Sequence, residues 1–170
     1  MKSITTFLLL TTSCFALSLN AQELNSNEAS KNVFNFSLGS FVVHNSAHIT
    51  YDRLIAKKAK SFFKSYYFTT KVGGNATLNF SDTNSGTGLL TSLGFTGLTG
   101  KGNDHLEIGV GLGYFFDSST SDDFIEGGVD DSQFYPSISL GYRKQSPKGF
   151  VFRTGLGAAE WFYVGFGYSF

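Results

Sequence analysis

The segment Leu106–Phe116, LEIGVGLGYFF, alternates strictly between two kinds of residue. Its even-numbered residues are all large and apolar, whereas its odd-numbered residues are three glycines, Glu107 and Phe115. Because side chains in a strand point alternately to opposite faces, this pattern predicts a β-strand with one bulky apolar face and one nearly bare face. A soluble sheet would present polar groups on its second face. The segment is instead typical of a transmembrane β-barrel strand, with lipid on the bulky side and a crowded interior on the small side.

The length of this segment agrees with that interpretation, since a tilted strand of about 9–11 residues crosses a bilayer core. The assignment of faces also leads to an expectation about substitutions. Val110→Arg should cost about 2–4 kcal/mol if the residue lies near the bilayer midplane. Gly111→Ser should be milder, because a serine would fit the lumen.

Residues 1–21 predict a secretory signal peptide: Lys2 precedes the apolar run Ile4–Leu17, and Ala21 precedes the expected cleavage point. Cys14, the only cysteine, raises the alternative of a lipoprotein. The polar residues 11–13 before it and the apolar residues after it favour the signal peptide instead. The mature chain would then contain no cysteine and no disulfide. We predict a short polar leader at residues 22–31 and a barrel at residues 32–170.

Composition limits the function classes. The formal net charge is zero, which gives no support for nucleic-acid binding. Glycine (20), Phe (19) and Tyr (8) are abundant, as expected for strands that pack closely on one side and meet a bilayer interface on the other. No segment after the signal peptide approaches the ~18 apolar residues of a spanning helix. A mature protein in a membrane must therefore be a closed barrel, because open sheet edges cannot sit in lipid.

The alternating pattern recurs along the chain and predicts eight strands. They are residues 33–43, 47–54, 66–72, 89–97, 106–116, 134–143, 150–156 and 162–170, of which the third has the weakest pattern. The predicted fold class is all-β: an eight-stranded antiparallel up-and-down transmembrane barrel. Long connections at 73–86 and 117–131 alternate with shorter or basic ones, which indicates outer loops, periplasmic turns and periplasmic termini.

The last five residues, FGYSF, resemble the terminal signature of bacterial outer-membrane proteins through Phe166, Tyr168 and Phe170. In that family this strand is the signal read by the barrel-assembly machinery. The mature chain resembles the small OmpA/OmpX-type barrels. It is also similar to uncharacterised outer-membrane barrels of Bacteroidota, through residues 49–54, 105–114, and 141–143 with 150–153. The resemblance implies a fold and an outer-membrane location, and it implies no activity.

Four charged residues fall on the small-residue face: Asp52, Glu107, Arg143 and Arg153. An eight-stranded barrel is just wide enough for side chains to fill it. Buried charges in such a space must pair or remain hydrated. We therefore predict a structural interior polar cluster that plugs the lumen, in preference to a proton or ion path.

Other chemistry has weaker support in the sequence. His105 and Glu107 share a face and could form half of a hydrolytic site with Ser137 or Ser139, but no Gly-x-Ser-x-Gly elbow is present. The acidic segment 117–131 lacks the spacing of a helix-loop-helix calcium site. The three histidines lack zinc-ligand spacing. We predict no catalytic residue, metal or cofactor.

These observations favour a monomeric, non-enzymatic outer-membrane barrel with a structural, adhesive or recognition role through its outer loops. Its expected partners are outer-membrane lipid and, during insertion, the barrel-assembly machinery, with no nucleic acid. Two alternatives remain open. One is a lipid-modifying enzyme, and the other is a lipocalin-like carrier of a small apolar ligand, which would need apolar residues inside the barrel.

Overall fold

The computed structural model describes residues 30–41, 44–77, 86–100, 102–117 and 133–170. These residues form eight strands: β1 (Asn32–Phe41), β2 (His44–Lys57), β3 (Phe63–Thr77), β4 (Gly86–Thr99), β5 (Asp104–Asp117), β6 (Gln133–Gln145), β7 (Gly149–Gly157) and β8 (Trp161–Ser169). Each strand pairs antiparallel with its neighbour in sequence, and β8 pairs with β1 to close the barrel. The prediction of an all-β, closed, eight-stranded antiparallel barrel is confirmed. No helix in the described ranges is long and apolar enough to cross a membrane.

Strand β3 is longer than predicted, and part of the predicted loop at 73–86 was wrong. Residues 73–77 belong to β3, and β4 begins at Gly86. Gly73, the first residue of the predicted loop, instead makes room for a neighbour within the sheet. A β-carbon there would collide with the imidazole of His48 and the carbonyl of Ala47 on β2. Close packing between β2 and β3 therefore explains the glycine at this position.

The two faces of the strands differ as the alternation in the sequence predicts. On β5, Val110 and Leu112 are 55% and 57% exposed, whereas Gly109 and Gly113 are buried. Leu140 on β6 and Phe166 on β8 also point outward and are more than half exposed. Most bulky apolar side chains thus cover the outside of the barrel, and glycines, polar side chains and a few large rings face its interior.

The barrel has two distinct ends. At one end, which we call the terminal end, Asn32 and Phe170 exchange two backbone hydrogen bonds of 3.0 and 2.9 Å. The β2–β3, β4–β5 and β6–β7 turns lie at this end. Gly100 and Gly102 shape the β4–β5 turn with φ angles of 81° and 92°, a region that L side chains rarely adopt. The opposite end, the loop end, carries the other four connections.

Several predicted features lie outside the described residues. They are the signal peptide with Cys14, nearly all of the polar leader, residues 42–43 of the first predicted strand, residues 78–85 of the predicted loop at 73–86, and residues 118–131 of the acidic connection.

Candidate functional site

Glycines in the barrel wall leave room for large side chains inside. A β-carbon at Gly113 would collide with the ring of Tyr135, and one at Gly88 would collide with the ring of Phe115. A β-carbon at Gly141 would lie 2.5 Å from the hydroxyl of Tyr163. The small residues on the inner face therefore do not leave an open pore, because neighbouring strands fill the space with rings.

The interior charge cluster consists of Asp52, Glu107, Arg143 and Arg153, which four different strands bring together. Arg143 Nη1 lies 2.9 Å from Asp52 Oδ2 and 3.2 Å from Glu107 Oε2. Arg153 Nη1 lies 3.8 Å from Asp52 Oδ2, and Arg153 donates from Nε to Glu107 Oε1 at 3.1 Å and from Nη2 to the same oxygen. All four residues are buried. The structure thus joins all four charged residues that the sequence placed on the inner face.

Aromatic and hydroxyl groups enclose the interior charge cluster. The guanidinium of Arg143 lies 5.1 Å from the ring centroid of Tyr67, and that of Arg153 lies 5.9 Å from the ring centroid of Tyr163. Thr69 donates a hydrogen bond of 2.8 Å to Asp52. Two carboxylates and two guanidiniums neutralise each other here, and the rings add cation–π contacts that are stronger where water is excluded.

Packed side chains close the lumen between the interior charge cluster and the terminal end. Val33, Tyr67, Leu98 and Val151 form an apolar group in which each side chain is fully buried. Gln145 donates a 3.1 Å hydrogen bond to the Tyr67 hydroxyl, which in turn donates to the backbone carbonyl of residue 30 at 3.1 Å. The described part of the lumen is therefore blocked at this end by packed side chains.

A second ion pair, which the sequence analysis missed, lies toward the loop end. Glu160 in the β7–β8 turn is 2% exposed, and its Oε1 lies 2.5 Å from Lys71 Nζ on β3. Trp161, the next residue, has a φ of 56°, a left-handed conformation that is uncommon outside glycine. A β-carbon at Gly39 would lie 2.8 Å from the Glu160 β-carbon, so the turn places Glu160 directly against β1.

Electrostatics keep Glu160 ionised despite its burial. Burial by itself would raise the pKa of this carboxyl. The nearby Lys71 ammonium opposes burial, with help from His48 and Arg153, and the net effect is a pKa below the usual glutamate value. The alternation could have placed Lys71 on the inner face, because it is two residues from Thr69, the register partner of Asp52. The weak pattern of β3 hid this position.

A small polar cavity separates the two ion-paired regions. It is lined by hydroxyl groups and by the two cations that flank it: Thr69, Ser92, Thr96, Ser137, Ser139, Lys71 and Arg153. It has room for little more than about one water molecule. The three Lys and Arg side chains of the described interior pair with its three carboxylates. A drug-sized ligand needs a far larger and mostly apolar pocket.

The residues considered for hydrolysis make separate contacts. His105 Nδ1 lies 2.6 Å from the carbonyl oxygen of Thr99 at the terminal end. Glu107 is engaged by two arginines in the interior charge cluster, whereas Ser137 and Ser139 line the polar cavity. Within the described ranges, no group of three or more His, Cys, Asp or Glu side chains is placed to hold a metal ion.

The three aromatic residues of the terminal motif lie on the outer face of β8 and just after it. Phe166, Tyr168 and Phe170 are all more than half exposed.

Comparison of the chain with protein-family models, curated protein sequences and solved structures finds no match. Function must therefore be inferred from the surface and the interior of the barrel.

Proposed function

We propose that this chain is an outer-membrane β-barrel protein whose outer face contacts lipid. The observation that carries the proposal is the apolar outer surface. In the described residues, 25 large hydrophobic side chains are exposed and only six hydrophobic residues are buried. A water-soluble monomer rarely exposes a contiguous apolar patch of more than a few hundred Å². Lipid would cover this surface, and strands of 9–15 residues are long enough to cross a bilayer core.

The orientation follows from the two ends of the barrel. The terminal end carries three short turns and both ends of the described chain, whereas the two long connections, 78–85 and 118–132, belong to the loop end, as expected for the periplasmic and outer sides of a bacterial barrel. The predicted signal peptide at residues 1–21 would deliver the chain to the periplasm. The exposed aromatic motif at residues 166–170 would then present the last strand to the assembly machinery. Strand number and terminal motif also support an OmpA/OmpX-type relationship.

We further propose a non-enzymatic role, either structural or in recognition through the loop end. The described interior supports this choice because its charges are paired, packed side chains close its terminal end, and the polar cavity beside Arg153 is of water size. A carrier of an apolar molecule would need a larger and apolar cavity. A hydrolase would need a nucleophile within hydrogen-bond reach of a base, whereas His105 contacts Thr99 and Ser139 faces the polar cavity.

Two measurements on one preparation test membrane insertion. Bacteria expressing the full chain are fractionated, and the outer-membrane fraction is run on gels with and without boiling. We expect a cleaved chain in that fraction whose unboiled form migrates faster, because a folded barrel resists detergent. A chain recovered in the soluble periplasmic fraction with no shift on boiling would overturn the proposal.

A planar-bilayer recording tests the plugged interior. The wild-type barrel should give no steady conductance, because packed side chains block its terminal end. A continuous conductance in protein that is shown to be folded would contradict the structural role and favour an ion path.

A further inference from the structure

Fixed charge is distributed very unevenly between the two ends of the barrel. Cations on the outside of the described terminal end are Lys31, Arg53, Lys57, Lys58, Lys60, Lys64, Lys144 and Lys148. Among the described residues, one exposed acidic side chain, Asp104, accompanies them, since Asp52 and Glu107 are buried in the interior. Lys31, Arg53 and Lys57 have interaction partners of their own, whereas the lysines of the β2–β3 turn project from its surface. The described residues of the loop end carry no Lys or Arg on the outside of the barrel, since Lys71 faces the interior and pairs with Glu160. The terminal end is therefore a strongly basic ring, which we call the basic rim.

The β2–β3 turn of the basic rim is held by hydrogen bonds within the turn. Its backbone is fixed by hydrogen bonds from Lys58 N to Lys64 O at 3.0 Å and from Ser61 N to Lys58 O at 3.2 Å. Lys64 Nζ donates to the Ala59 carbonyl at 2.8 Å. Lys58 and Lys60 are exposed. The turn therefore carries three lysines within seven residues, and no carboxylate of the described residues pairs with them.

Aromatic rings lie directly beside these ammonium groups. Phe62 is 68% exposed and packs edge-on against Phe63, with ring centroids 5.0 Å apart. Phe63 in turn contacts Tyr66 at 5.9 Å, and Lys58 Nζ lies 5.6 Å from the Tyr66 ring centroid. Aromatic rings favour the headgroup level of a bilayer, and the long lysine side chains beside them reach outward to charged groups.

We infer that the basic rim binds anionic phospholipid headgroups in the leaflet at the terminal end of the barrel, with the β2–β3 turn as its main contact. This inference rests on the proposed membrane insertion. Charge complementarity favours a phosphate-rich surface, and the adjacent exposed rings favour one that is continuous with hydrocarbon. A soluble polyanion would match the ammonium groups but would leave Phe62 exposed to water.

The test measures lipid preference separately from insertion. Purified protein is folded into vesicles of phosphatidylcholine alone, or of equal parts phosphatidylcholine and phosphatidylglycerol. Vesicle flotation and the gel shift on boiling report insertion. Spin-labelled phosphatidylglycerol and phosphatidylcholine then report which lipid the barrel immobilises. Basic residues near an anionic surface predict a preference for phosphatidylglycerol of about two- to fivefold at low salt.

Salt and substitutions identify the source of that preference. It should fall toward one in about 1 M salt, where the Debye length is about 3 Å. The triple variant K58Q/K60Q/K64Q should lose at least about half of it, whereas the charge-conserving K58R/K60R/K64R should retain it. If the Gln variant does not fold, the salt dependence of the wild-type protein still decides the question.

The outcomes separate the two proposals. Failure of the wild-type chain to float with either vesicle would overturn membrane insertion. Insertion with equal immobilisation of both lipids, or a preference that neither salt nor the Gln substitutions reduce, would overturn the lipid inference alone. Tight, salt-sensitive binding of heparin to the detergent-solubilised protein without any lipid preference would also overturn it, in favour of a soluble polyanion.

Discussion

Replacing Arg143 by methionine tests the interior charge cluster most directly. Arg143 is fully buried and lies within 3.2 Å of two carboxylates, on Asp52 and Glu107. Without it, Arg153 alone faces both carboxylates, so a buried net charge of minus one remains. Removing one partner of a buried ion pair typically costs about 3–5 kcal/mol. That is a large share of the roughly 5–15 kcal/mol that stabilises a typical folded protein.

A second substitution separates charge from packing. Asp52→Asn by itself leaves a surplus cation in the cluster, but combined with Arg143→Met it restores neutrality through the remaining Glu107–Arg153 pair. The asparagine can still accept the hydrogen bond from Thr69. We expect the double variant to recover at least about 2 kcal/mol relative to additive losses, within the range seen for residues in contact.

The assay is urea unfolding of the barrel in detergent micelles. The single tryptophan gives a fluorescence signal, and the unboiled gel band counts folded protein. Lys144→Met is the matched control, because Lys144 is the next residue, exposed on the opposite face, and should change stability by no more than about 0.5 kcal/mol. A loss below about 1 kcal/mol for Arg143→Met, or a further loss on adding Asp52→Asn, would refute the reasoning.

Three further substitutions test other parts of the barrel. Val110→Arg should cost about 2–4 kcal/mol in lipid, with Val110→Leu near neutral, and equal losses for both would contradict the outward face. Gly111→Ala should cost about 1–3 kcal/mol, because the added β-carbon would collide with the backbone of β4. Gly109→Ala should be milder, because the β-carbon there would contact the rotatable hydroxyl of Ser139. Urea unfolding of both variants measures the difference. Folding lowers the pKa of Glu160, so its ionised form contributes to the free energy of unfolding above the unfolded-state pKa, and this contribution is lost as pH falls through the folded-state pKa. In a series of unfolding curves at decreasing pH, Glu160→Gln should therefore lose less stability than the wild-type protein.

Alternation along the chain was sufficient to predict the barrel, because strand parity is a local property of the sequence. The segment around Val110 alternates over eleven residues, and the strands that pair with it in the structure alternate as well. Parity also placed the four members of the interior charge cluster on the inner face. Their pairing required the closed barrel, since the contacting residues lie on strands that are distant in sequence.

The wrong predictions concern properties that the alternation of residues along a strand does not encode. Gly73 was assigned to a loop, although it belongs to β3 and accommodates the His48 ring of the neighbouring strand β2. Gly111 resembled a position that accepts serine, but a β-carbon there would lie 2.7 Å from the Cα of its register partner Gly94. Glu160 lies in a turn, where a sequence gives no face. Each error concerns a three-dimensional neighbour that becomes identifiable only after the strand register is known.

The interior charge cluster also specifies the strand register of the barrel. Its members come from β2, β5, β6 and β7, so they meet only when four strands are aligned correctly. A slip of one residue would turn a charged side chain toward the apolar outer face. A slip of two residues would keep the face but move the charge by about 7 Å, beyond ion-pair distance. In a glycine-rich interior, packing alone distinguishes poorly between alternative strand registers. The paired charges disfavour a wrong register, because it would leave buried charge unpaired.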